Sequence, residues 1–362
     1  MTGITCNTKG VWSIDDTYKK VLSDYLRYSN SGDPGTLWAW GRNQIGQFGI
    51  NCVTPAPGAQ TSPTQVPGIN WYTASIKCDN TLWTWGYNSS GNLGLDSIIH
   101  RSSPVQVPGN WCTGGAGAGI KTDGTLWLWG SGQSGRLGNN SEIPRSSPIQ
   151  VPGTTWVEVT GGRTNTFARK SDGTLWGWGY GYNGNLAHNV VGNRSSPIQI
   201  PGNSWVQVVG QSARKTDGTL WSWGCNFYGE VGDGTRITRS SPVQIPGTWC
   251  SISWAGNHMW AFKTDGTMWG WGLNNQGRIG EGTVIHRSSP VQIPGTQWSG
   301  VALYTGTSNA LKCNGTLWVW GTNAYTLGPA FPGPYSSPVQ IPGSCWFGFG
   351  SGSETNFALK RQ

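Results

Sequence analysis

An all-β protein, a seven-bladed β-propeller with four-stranded blades, is the fold class this sequence predicts, on three observations. The phrase Thr-Leu-Trp-x-Trp-Gly begins at Thr36, Thr81, Thr125, Thr174, Thr219 and Thr316, and at Thr267 with Met268 in place of Leu. Recurrence at a near-constant period marks a repeat array in which no unit buries its apolar face alone. Between phrases, β-branched and aromatic residues alternate with polar ones and are broken by Gly and Pro, the pattern of short strands. With 57 Gly, 24 Trp and 11% charged residues among 362, the composition is far from that of a helical protein.

The elements follow in chain order. Residues 1–34 precede the first phrase and read as a separate arm. Within it, Ser13-Ile14-Asp15-Asp16 resembles a helix-capping signature, and Tyr18, Val21, Leu22, Tyr25 and Leu26 follow at helical spacing. Residues 35–362 form the propeller. One repeat reads Ser-Pro-Ile-Gln-Ile-Pro-Gly (196–202), then Trp205-Val-Gln-Val, then Ala213-Arg-Lys-Thr-Asp-Gly-Thr-Leu-Trp-Ser-Trp-Gly. Asp123-Gly124, Asp172-Gly173, Asp217-Gly218 and Asp265-Gly266 signal two-residue type I′ hairpins. Four short strands per repeat, arranged radially, are propeller blades. Both Trp of the phrase share one strand face, with Leu on the other. A third Trp follows each Pro-Gly turn, at 71, 111, 156, 205, 249, 298 and 346. Rings of this size bury roughly 150–250 Å² each and read as the packing between blades. The segment 356–360 reads as the strand that pairs with 36–40, so that the C-terminus completes the blade the first repeat begins.

At this point the run Leu-Trp-x-Trp-Gly-x-Asn-x-x-Gly-x-Leu-Gly resembles the repeat of the regulator of chromosome condensation family. It stands at residues 37–49 (with Phe48 for Leu), 82–94 and 268–280 (with Met268 for Leu and Ile279 for the second Leu). The resemblance implies a seven-bladed propeller over about residues 35–362. It leaves function open, because family members include a nucleotide exchange factor on chromatin, an inhibitor of β-lactamase and many bacterial and phage proteins.

Chemistry is sparse. The four histidines, His100, His188, His258 and His286, show no metal-ligand spacing, and no nucleophile elbow, P-loop or paired-carboxylate motif appears. No enzyme activity, metal or cofactor is expected. The net charge of +8 is spread without a Lys/Arg block, so nucleic acid is not an expected partner. The eight cysteines form no Cys-x-x-Cys pair and are expected as reduced thiols, with Cys78 and Cys313 as small buried fillers. No signal peptide or membrane span is visible. Loop lengths after each phrase are near-constant apart from a short extra stretch around 54–61, which argues against an exchange-factor wedge.

Candidate binding residues fall in three groups. Arg101, Arg145, Arg194, Arg239 and Arg287 open the Arg-Ser-Ser-Pro of the middle repeats. They read either as a partial guanidinium ring for an acidic partner or as structural residues that stack on Trp or bond turn carbonyls. The arm contributes Trp12, Tyr18, Leu22 and Tyr25. Aromatics outside the repeat consensus, Trp254, Trp260, Phe227, Tyr228, Tyr180 and Tyr182, are the third group. The expected function is a non-enzymatic binding or structural propeller with a protein partner. A phage virion component at the particle surface, contacting virion or host proteins, is favoured. The alternative is a bacterial, cytoplasmic interaction module or inhibitor, and a guanine-nucleotide exchange factor ranks below both.

Overall fold

The structure is a computed structural model that describes residues 36–42, 59–65, 79–115, 117–161, 164–189, 191–254, 256–303, 306–322, 334–352 and 355–360. The arm, and with it Trp12, Tyr18, Leu22 and Tyr25, lies outside the described residues. The described chain is β-sheet throughout, with two three-residue 3₁₀ turns at Gln133–Gly135 and Tyr182–Gly184.

Among the described residues, six antiparallel sheets have four strands and one has two. Sheet 6 shows the plan: Ser251–Trp254, His258–Phe262, Met268–Gly272 and Arg287–Gln292 lie side by side in chain order. Sheets 3, 4, 5 and 7 repeat it around Leu126–Gly130, Leu175–Gly179, Leu220–Gly224 and Leu317–Gly321. Sheet 2 holds Leu82–Gly86 and Arg101–Val107, and the strands expected before them fall in 66–78, outside the described residues. Sheet 1 joins the two ends of the chain. Thr36–Arg42 pairs with Ala59–Gln65 on one side and with Thr355–Lys360 on the other, Thr36 opposite Lys360 and Trp40 opposite Asn356.

Successive sheets pack face to face by one rule. The Leu of the phrase in one sheet faces the second and third Trp of the next. Leu220, Val231 and Ile245 meet Trp249 and Trp271, Leu126 and Val151 meet Trp156 and Trp178, and Leu175 and Ile200 meet Trp205 and Trp223. The second Trp also donates its indole N–H to a loop carbonyl of the preceding sheet: Trp129 to Asn92, Trp178 to Arg136, Trp223 to Asn185, Trp271 to Glu230 and Trp320 to Arg278. A buried ring of this kind contributes on the order of a few kcal/mol, and the bond fixes its orientation. The first strands touch one another from sheet 4 to sheet 5 to sheet 6 to sheet 7 to sheet 1 and form the inner layer. There Gln207 bonds both backbone groups of Ile252, at 3.1 and 3.2 Å, and Glu158 accepts from the Val208 amide at 3.1 Å.

The hairpins differ from the expected type I′ turns. Only the Gly of each Asp-Gly has positive φ (Gly124 +77°, Gly173 +80°, Gly218 +82°, Gly266 +78°). Gly124 N–H donates to the Lys121 carbonyl, and Lys121 N–H donates to Thr125. This is a three-residue loop, a type I turn followed by a glycine bulge. The Asp carboxylate selects it by accepting from the backbone and hydroxyl of the Thr two residues on, as Asp123 does from Thr125 at 2.9 and 2.6 Å.

Candidate functional site

The third strand of each sheet runs from one rim of the molecule to the other, and the two rims use their side chains differently. At the rim of Asp-Gly turns, polar groups are committed to the fold. Asp217 accepts from Thr219, and Thr219 accepts from the Trp221 indole at 3.0 Å; the same relay runs in sheets 3, 4 and 6. A lysine ammonium lies over two Trp rings in each of five sheets: Lys121 over Trp111 and Trp127, Lys170 over Trp156 and Trp176, Lys215 over Trp205 and Trp221, Lys263 over Trp249 and Trp269, and Lys312 over Trp298 and Trp318. Their hydrogen bonds to Thr hold Asp123, Asp172 and Asp217 below the usual carboxylate range.

At the opposite rim, the loops after each phrase are stapled from within. Asn226 accepts from Val231 N–H and donates to the carbonyls of Thr235 and Ile237. Asn88 and Asn274 make the same bonds in their own loops. His100 Nδ1 accepts the Asn88 amide at 2.9 Å and His286 Nδ1 accepts that of Asn274 at 3.0 Å, which places the ring proton on Nε2. Burial and the nearby Arg236 push His286 below its ordinary value. Each loop then clasps the next sheet. Asp96, Asn140, Asn189, Gly234 and Gly282 all have positive φ and donate N–H to the first Ser carbonyl of the following Arg-Ser-Ser-Pro or Tyr-Ser-Ser-Pro. Gly229 lies so close to Ser288 that a Cβ would fall 2.4 Å from its Cα. The Ser-Ser-Pro repeat is therefore a clasp between sheets.

Among the residues these loops expose, large apolar side chains recur. Ile98, Ile99, Ile143, Val191, Ile237, Val284 and Ile285 are exposed, one or two per loop, together with Tyr87, Tyr182, Phe227 and Tyr228. Sequence reasoning missed the aliphatic set. Its signal was an Ile two residues before the Arg in four of the five Arg-Ser-Ser-Pro motifs (Ile99, Ile143, Ile237 and Ile285), with Val191 three residues before Arg194 in the fifth.

The predicted residues divide. Arg239 pairs with Asp233 at 2.6 Å and Arg287 with Glu281 at 3.3 Å, both within their own loops. Arg194 donates to the Asn193 carbonyl at 3.1 Å, Arg145 is exposed and Arg101 half-buried. Stacking of these arginines on Trp is corrected: among the described residues the cations over Trp rings are lysines. Phe227, Tyr228 and Tyr182 are exposed as expected of contact residues, while Tyr180 is half-buried. Trp254 is half-buried and packed on the core between sheets 5 and 6. Trp260 is a correction. It is fully buried, donates to the Ile279 carbonyl and packs edge-on against His258, because it lies opposite Gly270, whose missing side chain leaves its space. Cys313 is exposed rather than buried. Cys112, Cys225, Cys250, Cys313 and Cys345 are free thiols, and burial pushes Cys250 up to about 12. No helix among the described residues is long and apolar enough to cross a membrane.

Successive antiparallel sheets packed face to face, with polar groups committed at one rim and apolar side chains exposed on the loops of the other, define the class: a β-propeller. The regulator of chromosome condensation (RCC1) repeat is found in this chain: its family model matches residues 79–112, 123–169, 217–261 and 265–302. Among solved structures it is similar to Prp20p from Saccharomyces cerevisiae, described with its binding to Gsp1p and histones (TM-score 0.77, 18% identity, 91% of this chain and 92% of that one). Yeast RCC1 (Prp20) bound to Kap60 gives a TM-score of 0.77 at 16% identity over 100% and 94% of the two chains. Human WBSCR16 gives 0.75 at 19% identity over 91% and 99%. At these identities the likeness shows the fold. No curated protein matches the chain by sequence.

Proposed function

We propose that the protein is a non-enzymatic interaction module that meets a protein partner through its loop rim. The observation that carries this is the recurrence of exposed aliphatic and aromatic side chains on successive loops of that rim. Exposed apolar surface of this kind marks contact sites. His100, His286, Glu230, Asp233 and Glu281 each bond a group of their own loop. Structural relatives that bind Gsp1p, histones or Kap60 support a protein partner.

The test places a photoreactive residue at Ile143, at Phe227 or at Thr248, the last on the rim of Asp-Gly turns, in the full chain. Crosslinks to a partner from 143 and 227 are the expected result; crosslinks from 248 alone sink the reading. A finer reading, a virion component at the particle surface, rests on the Trp-rich, near-identical repeats and is tested by co-purification with particles. Exchange-factor activity, which one member of the RCC1 repeat family has, is a second reading. It predicts accelerated nucleotide release from a small GTPase, and unchanged release across a panel rejects it.

A further inference from the structure

The loops at 225–238 and 273–286, from sheets 5 and 6, each expose large apolar side chains and touch one another at the rim. Phe227 is 64% exposed on the first loop, and Val284 and Ile285 are each 58% exposed on the second. The Tyr228 ring meets the His286 imidazole edge-on at 5.1 Å, so the two loops touch. Ile237, also exposed, is held near Phe227 because Asn226 donates to its carbonyl at 3.0 Å. The backbone beneath is already ordered: Asn226 and Asn274 staple the two loops, and Glu230 accepts the Tyr228 amide at 2.8 Å. A pre-ordered surface loses little free energy to ordering when it binds.

Charge decides what the patch takes. The carboxylate of Asp233 is held by Arg239, that of Glu281 by Arg287, and that of Glu230 faces the Tyr228 amide. Arg236 is exposed; its charge acts on the buried Glu230 carboxylate and on His286, and among the described residues it makes no direct ion pair. The carboxylates are buried while Arg236 is exposed, so the charge presented beside the apolar patch is positive. A second copy of the chain would set like charges together. Nucleic acid would find a single free guanidinium among aliphatic side chains, too little for phosphate binding. Aromatic residues with an adjacent Arg are the composition of protein contact hot spots.

We infer that the patch formed by Phe227, Tyr228, Ile237, Val284 and Ile285 docks a protein segment that presents apolar side chains beside a carboxylate, which pairs with Arg236. The inference rests on the loop-rim reading and narrows it to one place and one partner chemistry.

The full chain is titrated with three labelled helical peptides, followed by fluorescence anisotropy. One carries Leu and Phe on one face and Glu beside them, the second has Lys for Glu, and the third has Ser for Leu and Phe. Only the first is expected to bind. Phe227→Ala or Ile285→Ser weakens it by about tenfold or more, and Arg236→Glu transfers the preference to the Lys peptide, all with unchanged melting temperature. Equal binding of the first two peptides, no binding of any, or silence of Phe227→Ala overturns the inference. A dimer in sedimentation that Phe227→Ala dissolves replaces the partner with a second copy. Crosslinks from Ile143, with the patch variants silent, would leave the loop-rim reading standing and remove this one.

Discussion

At the scale of single residues, most polar side chains carry structural duties the repeat alone explains. The Asp-Thr-Trp relay and the lysine between two Trp rings recur sheet after sheet, each cation contact contributing on the order of 0.5–1 kcal/mol. His258 is the exception. It is fully buried against Trp260, and neither ring nitrogen has a hydrogen-bond partner among the described residues. Burial, aided by Arg278, lowers it from 6.5 to about 3. The fold thus holds it neutral while the unfolded chain protonates it near 6.5. Its contribution is complete above pH 6.5 and is lost as pH falls toward 3. The depressed Asp residues act lower, their contribution fading below the ordinary value of 3.8. Urea midpoints followed by Trp fluorescence should therefore fall steadily from pH 6.5 to 4. His258→Asn, the residue that Asn165 supplies opposite Gly179 in sheet 4, should flatten that slope. An unchanged slope would mean that His258 is not held neutral by the fold.

At the scale of the element, the middle residue of Trp-x-Trp is set by its neighbour across the sheet. Gly177 faces Phe167, Gly270 faces Trp260, Leu128 faces Ala118 and Ser222 faces Ser212. In the first three pairs large stands against small, so that the pair fills the space between sheets, while the two serines share a hydrogen bond at 2.9 Å. A Cβ on Gly177 would meet the Phe167 ring at 2.9 Å. Trp260→Ala should cost about 3–5 kcal/mol through the cavity it leaves. Gly270→Leu should cost about 1–3 kcal/mol through overpacking. The double variant should recover part of both losses in denaturant melts; strictly additive losses would show that the two sites do not share a volume. This pairing was legible in the sequence as Gly between two Trp, yet Trp260 read as a surface aromatic because its partner strand was unknown. The hairpins were misread for a related reason. Asp-Gly fits two turn types, and the choice lies in where the Asp carboxylate bonds.

At the scale of the whole molecule, Thr355–Lys360 lies between Thr36–Arg42 and Trp346–Gly352 in one sheet. The two ends of the chain are held together by a ladder of backbone hydrogen bonds, which also covers strand edges. Truncation after Gly352 should remove that ladder, lower the melting temperature by roughly 10 °C or more, and promote association through the uncovered edge. Wild-type melting of the truncated chain would place the stability of the molecule elsewhere.

The sequence by itself determined the repeat, its strands, the role of its three Trp sets as packing between sheets, and the pairing of the last strand with the first. Periodicity and side-chain alternation are local properties, written once per repeat and so legible seven times. Tertiary structure alone decided which loop residues face outward. Ile237, Val284 and Ile285 are exposed because Asn226 and Asn274 capture the carbonyls of Ile237 and Ile285, an arrangement that exists only once the loop has closed. It also decided which cations meet Trp, because Lys and Arg are equally suited by chemistry and only the register of the strands brings the lysines over the rings.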